Sequence, residues 1–309
     1  DGIRRLKKNK MAMVSLVVIV FVFIFSFLVP QFYPYSYEQQ IRGSENLAPM
    51  QYSEKELEAK AAGESVFPHV LGTDNLGRDY AVRVMMGSRV SLTVGLVASA
   101  IILLIGSLYG SVAGFFGGWV DMIMMRIVDM IYTVPDILII VLLSVAFDQP
   151  LKALAQKPGF EWIQVIGVNL ISIFVVFALL YWVGMARIVR SQILILKEQE
   201  YVTAARALGA SNGRIIKKHL LTNCIGTLIV TTTLQIPSSI FTESFLSFLG
   251  LGVAAPMPSL GSLASAALNG LQSYPHRLFA PALAISVIIL SFNLLGDGLR
   301  DAFDPKLKD

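Results

Sequence analysis

Long apolar runs alternate with shorter polar stretches along this chain, and six runs reach the ~20 residues a helix needs to cross the hydrocarbon of a bilayer. They are roughly Met11–Val29, Val90–Ala113, Met122–Phe147, Gly167–Ala186, Cys224–Ser247 and Leu278–Gly296. Lipid offers backbone N–H and C=O groups no partner other than their own helix. The pattern therefore predicts an all-α, polytopic membrane protein with six transmembrane helices. The third run is the most interrupted: Arg126, Asp129 and Asp136 punctuate its first half, and only Ile137 to Phe147 is free of charge.

The polar stretches divide the chain into three parts. Residues 1–30 form an N-terminus and first helix, 31–87 a segment outside the membrane, and 88–309 a five-helix core with a polar loop at 196–222. From Gln31 to Met86 the chain carries eight acids and few large apolar side chains, so it is expected to bury little core and to lie against the helices or move freely. One surface helix is predicted in it. Ser53 and Glu56 have capping-box spacing, Glu54 to Ala62 suits a helix, and Gly63 can end it. The first apolar run is followed by Pro30, Tyr33 and Pro34 instead of small residues, which reads as a retained anchor and not a cleaved signal. Asp1 is not a methionine, so a few residues are expected ahead of it.

Composition supports residence in a membrane: 55% hydrophobic against 15% charged residues and a mean hydropathy of +0.66 lie far from the globular mix. Lys and Arg exceed Asp and Glu by 25 to 21, too little to argue for nucleic acid. Their placement says more, because cytoplasmic flanks concentrate the positive charge. Arg4, Arg5, Lys7, Lys8 and Lys10 abut the first helix, and Arg187, Arg190, Lys197, Arg206, Arg214, Lys217 and Lys218 follow the fourth. With Arg300, Lys306 and Lys308 at the end, both termini are assigned to the cytoplasm; Arg83 and Arg89 pull weakly the other way. The lone Cys224 permits no internal disulfide and reads as inert packing.

Chemistry-bearing motifs are scarce. The sequence has no G-x-x-x-x-G-K-[ST] or HExxH, and His69, His219 and His276 are scattered, so a membrane enzyme has little support. Charges inside spans are expensive and point to function or to structural pairing. Arg126 and Asp129 can pair at i, i+3. Asp136, after Pro135, suits a pore-facing or a capping role at a kink, and Glu243 either lines a path or is hydrogen-bonded between helices. A proton-coupled carrier would be expected to place an acid nearer the centre of a span.

The loop from Glu200 to Asn223 is too polar and basic to cross lipid. Tyr201, Ala205 and Leu208 fall at i, i+4, i+7 as a narrow apolar stripe, and Ala204, Ala205 and Gly209 keep the surface low for a close-approaching partner. Gly209 can turn the chain back in a left-handed conformation. Here the sequence resembles the permease subunits of ABC importers, whose signature is Glu-Ala-Ala, three residues, Gly, and a Leu-Pro pair whose proline lies thirteen residues past that glycine. This chain has Thr203-Ala204-Ala205, Gly209 and Leu221-Thr222 at that spacing, with Thr203 in place of the glutamate and Thr222 in place of the proline. Three further stretches narrow the likeness to the second permease of the oligopeptide, dipeptide and nickel systems: Pro68 to Asp79, Ser244 to Val253, and Asn293 to Pro305. Taken singly, Gly72, Gly77 and Asp79 could be ordinary turn residues, and Gly296 with Gly298 an ordinary helix stop.

The resemblance implies a type I importer permease fold that pairs with a homologous permease around a shared path. It implies two ATPase subunits below, an extracytoplasmic substrate-binding protein above, and oligopeptide or dipeptide cargo. The ATPase-coupling residues would be Glu200, Thr203, Ala204, Ala205, Arg206, Leu208 and Gly209, and Asp136 and Glu243 are the pathway candidates. No cofactor or metal is expected in this chain, ATP and magnesium being held by the partners. A nickel permease is the nearest alternative and a gradient-driven carrier the more distant one; a purely structural membrane protein would not account for the coupling spacing.

Overall fold

The computed structural model describes residues 2–133, 135–253 and 255–303, apart from the side chains of Ile3, Asp136 and Val165. Lys306 and Lys308, with Pro305 of the last family-like stretch, lie outside these residues. Ten helices organise the rest: α1 Lys10–Phe32, α2 Glu54–Ala61, α3 Tyr80–Phe116, α4 Gly118–Tyr132, α5 Asp136–Ala155, α6 Val168–Leu196, α7 Glu200–Ala207, α8 Ile225–Phe248, α9 Leu260–Ala267 and α10 His276–Phe303. Shorter helical turns occur at Gly2–Leu6, Trp162–Ile166 and between Asn212 and Asn223. α1 and α6 each contain one wider turn, at Ile24–Leu28 and Phe177–Tyr181. Among the described residues six helices are long and apolar enough to span a membrane: α1, α3, α5 from Ile137, α6, α8 and α10.

The third apolar run does not form one helix. It breaks into α4 and α5, because Pro135 supplies no N–H for a continuing ladder. Of the charged residues of its first half, Arg126 and Asp129 fall in α4 and Asp136 opens α5, whose span begins at Ile137. α3 starts at Tyr80, earlier than expected, so the last residues of the 31–87 segment belong to a membrane helix.

By packing the chain forms two compact units: residues 1–13, 96–236 and 293–309 in one, 14–95 and 237–292 in the other. In the first unit α3 and α6 approach closely along a small-residue seam. A Cβ on Gly106 would lie 2.6 Å from Met185 Cβ, and one on Gly114 would lie 2.9 Å from the Arg190 carbonyl. α4 docks beside them, with Val128 buried against Trp182, Val183 and Ala186, and the Tyr109 hydroxyl donates to the Met124 carbonyl at 2.8 Å. Asp129 pairs with Arg187 of α6 at 2.8 Å and not, as its spacing had suggested, with Arg126; Asp121 takes both Arg190 Nε and Nη2. Gly296 and Gly298 do not stop a helix. α10 runs on to Phe303, and the two glycines admit Leu234 and Ala12 against its backbone.

The second unit holds the outer segment, which is far from loose. α2 is capped as its sequence predicts: Ser53 Oγ accepts from Glu56 N–H and Glu56 Oε2 accepts from Ser53 N–H at 2.7 Å. Behind it His69, fully buried, lies between Asp79 Oδ2 at 2.8 Å and Glu56 Oε1 at 3.0 Å, with the Tyr35 ring stacked 4.5 Å away. Asp79 also caps α3 by accepting from Val82 N–H at 3.0 Å. The expectation of little buried core counted apolar side chains only. The segment is held by polar ones.

Candidate functional site

The loop singled out by sequence folds as a short, anchored helix. α7 begins after Gln199, whose extended backbone precedes the first turn, and ends in a Schellman turn. Gly209 N–H donates to Arg206 O at 2.9 Å and Ala210 N–H to Ala205 O at 3.0 Å, with Gly209 at φ +80° as the left-handed position requires. Val202 and Ala205 face inward and are buried, as are Ile215, Leu220 and Cys224 of the return path. Glu200, Thr203, Ala204, Ala207 and Leu208 form the open face, and Leu208 is 88% exposed. Ala205 was expected on the docking surface with Leu208. The structure puts the two apart, because the apolar stripe is split between an inner contact and an outward tip.

Three contacts tie this helix and the residues leading into it to their unit. Arg206 lies 5.3 Å from the centre of the Phe115 ring, Lys197 Nζ donates to Gly114 O at 3.0 Å, and Asn223 Nδ2 donates to the Tyr201 hydroxyl at 3.3 Å. Thr222, at the motif's proline position, donates its hydroxyl to Lys217 O at 3.3 Å, next to a wide turn at Ile215–Leu220. The site is thus a rigid knob with a low, partly apolar face and one carboxylate, at Glu200.

The two pathway candidates part company. Glu243 is fully buried and accepts from Ser91 Oγ at 2.7 Å and Ser247 Oγ at 2.7 Å, with Ser244 Oγ at 3.4 Å. It joins α8 to α3, the second of the two roles its sequence position allowed. Asp136 opens α5, and its side chain lies outside the described residues. Sequence reading, which followed charges, passed over an open cavity of about 160 Å³ lined by Ile131, Tyr132, Leu180, Tyr181, Gly184 and Gln235. Gln235 and two phenols give it neutral hydrogen-bonding groups in an apolar wall. The only sequence signal was an amide two residues before Pro237 in an otherwise apolar run.

Comparison with known proteins bears directly on this arrangement. Residues 106–309 match the family described as binding-protein-dependent transport system inner membrane component, and residues 1–49 match the N-terminal TM domain of oligopeptide transport permease C. The chain is 41% identical over 308 residues to the oligopeptide transport system permease protein OppC of Bacillus subtilis, covering 100% of this chain and 90% of that protein. It is 43% identical over 309 residues to the dipeptide transport system permease protein DppC of the same organism, covering 100% and 86%. To OppC of Escherichia coli K12 it is 37% identical over 306 residues, covering 99% and 90%. With six membrane-length helices and full-length relatives of this kind, the chain belongs to the inner-membrane permease family of binding-protein-dependent ABC transport systems, as a multi-pass member of the OppC/DppC type.

Proposed function

We propose that this chain is one of two homologous permease subunits through which an ATP-driven importer passes oligopeptides or dipeptides, with both termini in the cytoplasm. The observation that carries the reading is likeness along the whole chain to permeases named for oligopeptides and dipeptides. Those names favour peptides over the nickel alternative, and membership of an ABC family disfavours a gradient-driven carrier. ATP and magnesium belong to two partner ATPases, and a substrate-binding protein delivers cargo on the outer side.

In this reading α7 seats in a groove of one ATPase. Its exposed face offers small residues for close approach, Leu208 as an apolar tip, and Glu200 one turn before Thr203 to supply the carboxylate that Thr203 lacks. Because Arg206 and Lys197 fasten this region to the end of α3, a displacement of α7 is transmitted as a rigid movement instead of being absorbed in a slack loop. Closure of the ATPases around nucleotide would swing the attached helices between outward and inward access.

Ala204→Trp tests the docking. It adds a bulky ring to the exposed face without touching the buried Val202 and Ala205. Expected are normal membrane insertion, loss of ATPase copurification and a fall of at least about tenfold in peptide uptake. Wild-type uptake by this variant would refute the role of α7.

A further inference from the structure

The second unit contains a pocket of about 310 Å³ that the transport reading leaves without a role. It opens between the outer segment, the end of α9 and the start of α10. Two of its walls are arginines that are each only 7% exposed, Arg83 and Arg277. Arg83 Nη1 donates to Tyr37 O at 3.1 Å, and Arg277 Nη2 donates to Asn46 Oδ1 at 3.0 Å and Thr73 O at 2.7 Å. The Nε of each is buried with no hydrogen-bond partner. A third guanidinium, Arg78, also lines the pocket.

Against these three cations stands one lining carboxylate, Asp74, and it is already engaged. Its Oδ1 accepts from Leu76 N–H at 2.9 Å and Arg78 N–H at 3.0 Å. Its Oδ2 takes Arg78 Nε at 2.7 Å and lies 3.5 Å from Arg83 Nε, outside good hydrogen-bond geometry. Burying charge without a counter-charge is costly, and leaving a buried donor unmade adds to it. A carboxylate entering the pocket would offset both, since guanidinium and carboxylate match in shape as well as charge. Leu76, Leu268 and Leu271, each next in sequence to a residue that lines the pocket, are exposed. A small free carboxylate would answer the charges and leave these leucines bare, whereas a protein surface would cover both.

We propose that this pocket receives an acidic side chain of the extracytoplasmic binding protein and is a docking point for it; the assignment of that partner rests on the importer reading above. Asn269 lines the pocket and is exposed, so it can be changed without removing a buried arginine. Asn269→Asp would place a carboxylate of the chain's own beside the guanidinium groups. The test uses the complete complex with its partner permease and ATPases in lipid nanodiscs and measures the Kd of the binding protein at low and physiological salt. Asn269→Asp is expected to weaken docking about tenfold with a shallower salt dependence, Asn269→Ala to stay within about twofold, and basal ATP hydrolysis to be the same in all three. If Asn269→Asp docks like wild type, or Asn269→Ala weakens docking as much as the aspartate does, the pocket is not the docking point. A wild-type complex that binds no binding protein sinks the importer reading, and this proposal with it. Failure of the aspartate arm in a complex that docks and transports sinks the pocket alone.

Discussion

Glu243 and His69 are both polar groups enclosed by protein, and they are stabilised in different ways. Glu243 is surrounded by serine hydroxyls from its own helix and from α3, so removing the carboxylate orphans Ser91 and Ser247 in an apolar setting. Glu243→Leu should cost about 2–4 kcal/mol and Glu243→Gln, which keeps one acceptor, about 1 kcal/mol, read as lowered midpoints in thermal unfolding of the detergent-purified protein. His69 is held by charge. Burial alone would lower its pKa, but the Asp79 hydrogen bond and the charges of Glu56 and Asp79 outweigh burial and leave it raised above 6.5. A raised folded-state pKa contributes stability that is complete below the unfolded value of about 6.5 and is lost as pH rises through the folded value. Burial pushes the stacked Tyr35 phenol up to about 12, so the ring next to the imidazole stays neutral through this window. Protection factors of the amides across residues 44–79, corrected for the intrinsic rise of exchange rate with pH, should therefore fall between pH 6 and pH 9, and His69→Phe should remove that fall; equal protection factors at both pH values in the wild type would contradict it.

At the scale of elements, what the sequence disclosed depended on how local the governing physics is. Spans were legible because bilayer thickness sets a length any apolar run can be measured against, and α2 was legible because Ser53 and Glu56 satisfy each other within one turn. The inward turn of Ala205 was not, since a small residue on an eight-residue helix can face either way until its neighbours are known. Nor was the glycine seam of α3, whose meaning lies in α6. At Gly110 a Cβ would meet Arg190 N and Val189 Cβ at 3.0 Å and come closer still to the Ala186 carbonyl, whereas a Cβ on Gly184 would meet nothing within 4 Å. Gly110→Ala should destabilise by about 1–3 kcal/mol through overpacking, while Gly184→Ala should be neutral or gain up to about 1 kcal/mol from helix propensity. Matched losses in the two variants would show that the seam is not tight.

For the molecule as a whole, the placement of Lys and Arg argues an orientation that labelling tests. In a Cys224→Ser background, Lys152→Cys should react with an impermeant thiol reagent in intact cells and Lys217→Cys should be protected; the reverse pattern would invert the topology. The family could be read in the sequence because each stretch that carries the likeness is contiguous: Pro68 to Asp79, Thr203 to Thr222, Ser244 to Val253 and Asn293 to Pro305. The arginine pocket could not, since Asn46, Arg83 and Arg277 meet only after folding. The serine cradle of Glu243 also has a consequence for how the protein is made. α8 is the least apolar of the six spans and carries Pro237 as well as the acid, so it is a poor substrate for the insertion machinery on its own. Its partner Ser91 is synthesised some 150 residues earlier, and early helices are thus expected to wait near the translocon and chaperone a late one into lipid. Fused alone to a glycosylation reporter, α8 should insert inefficiently. Preceded by α3 with Ser91 intact it should insert well, and Ser91→Ala should erase part of that gain.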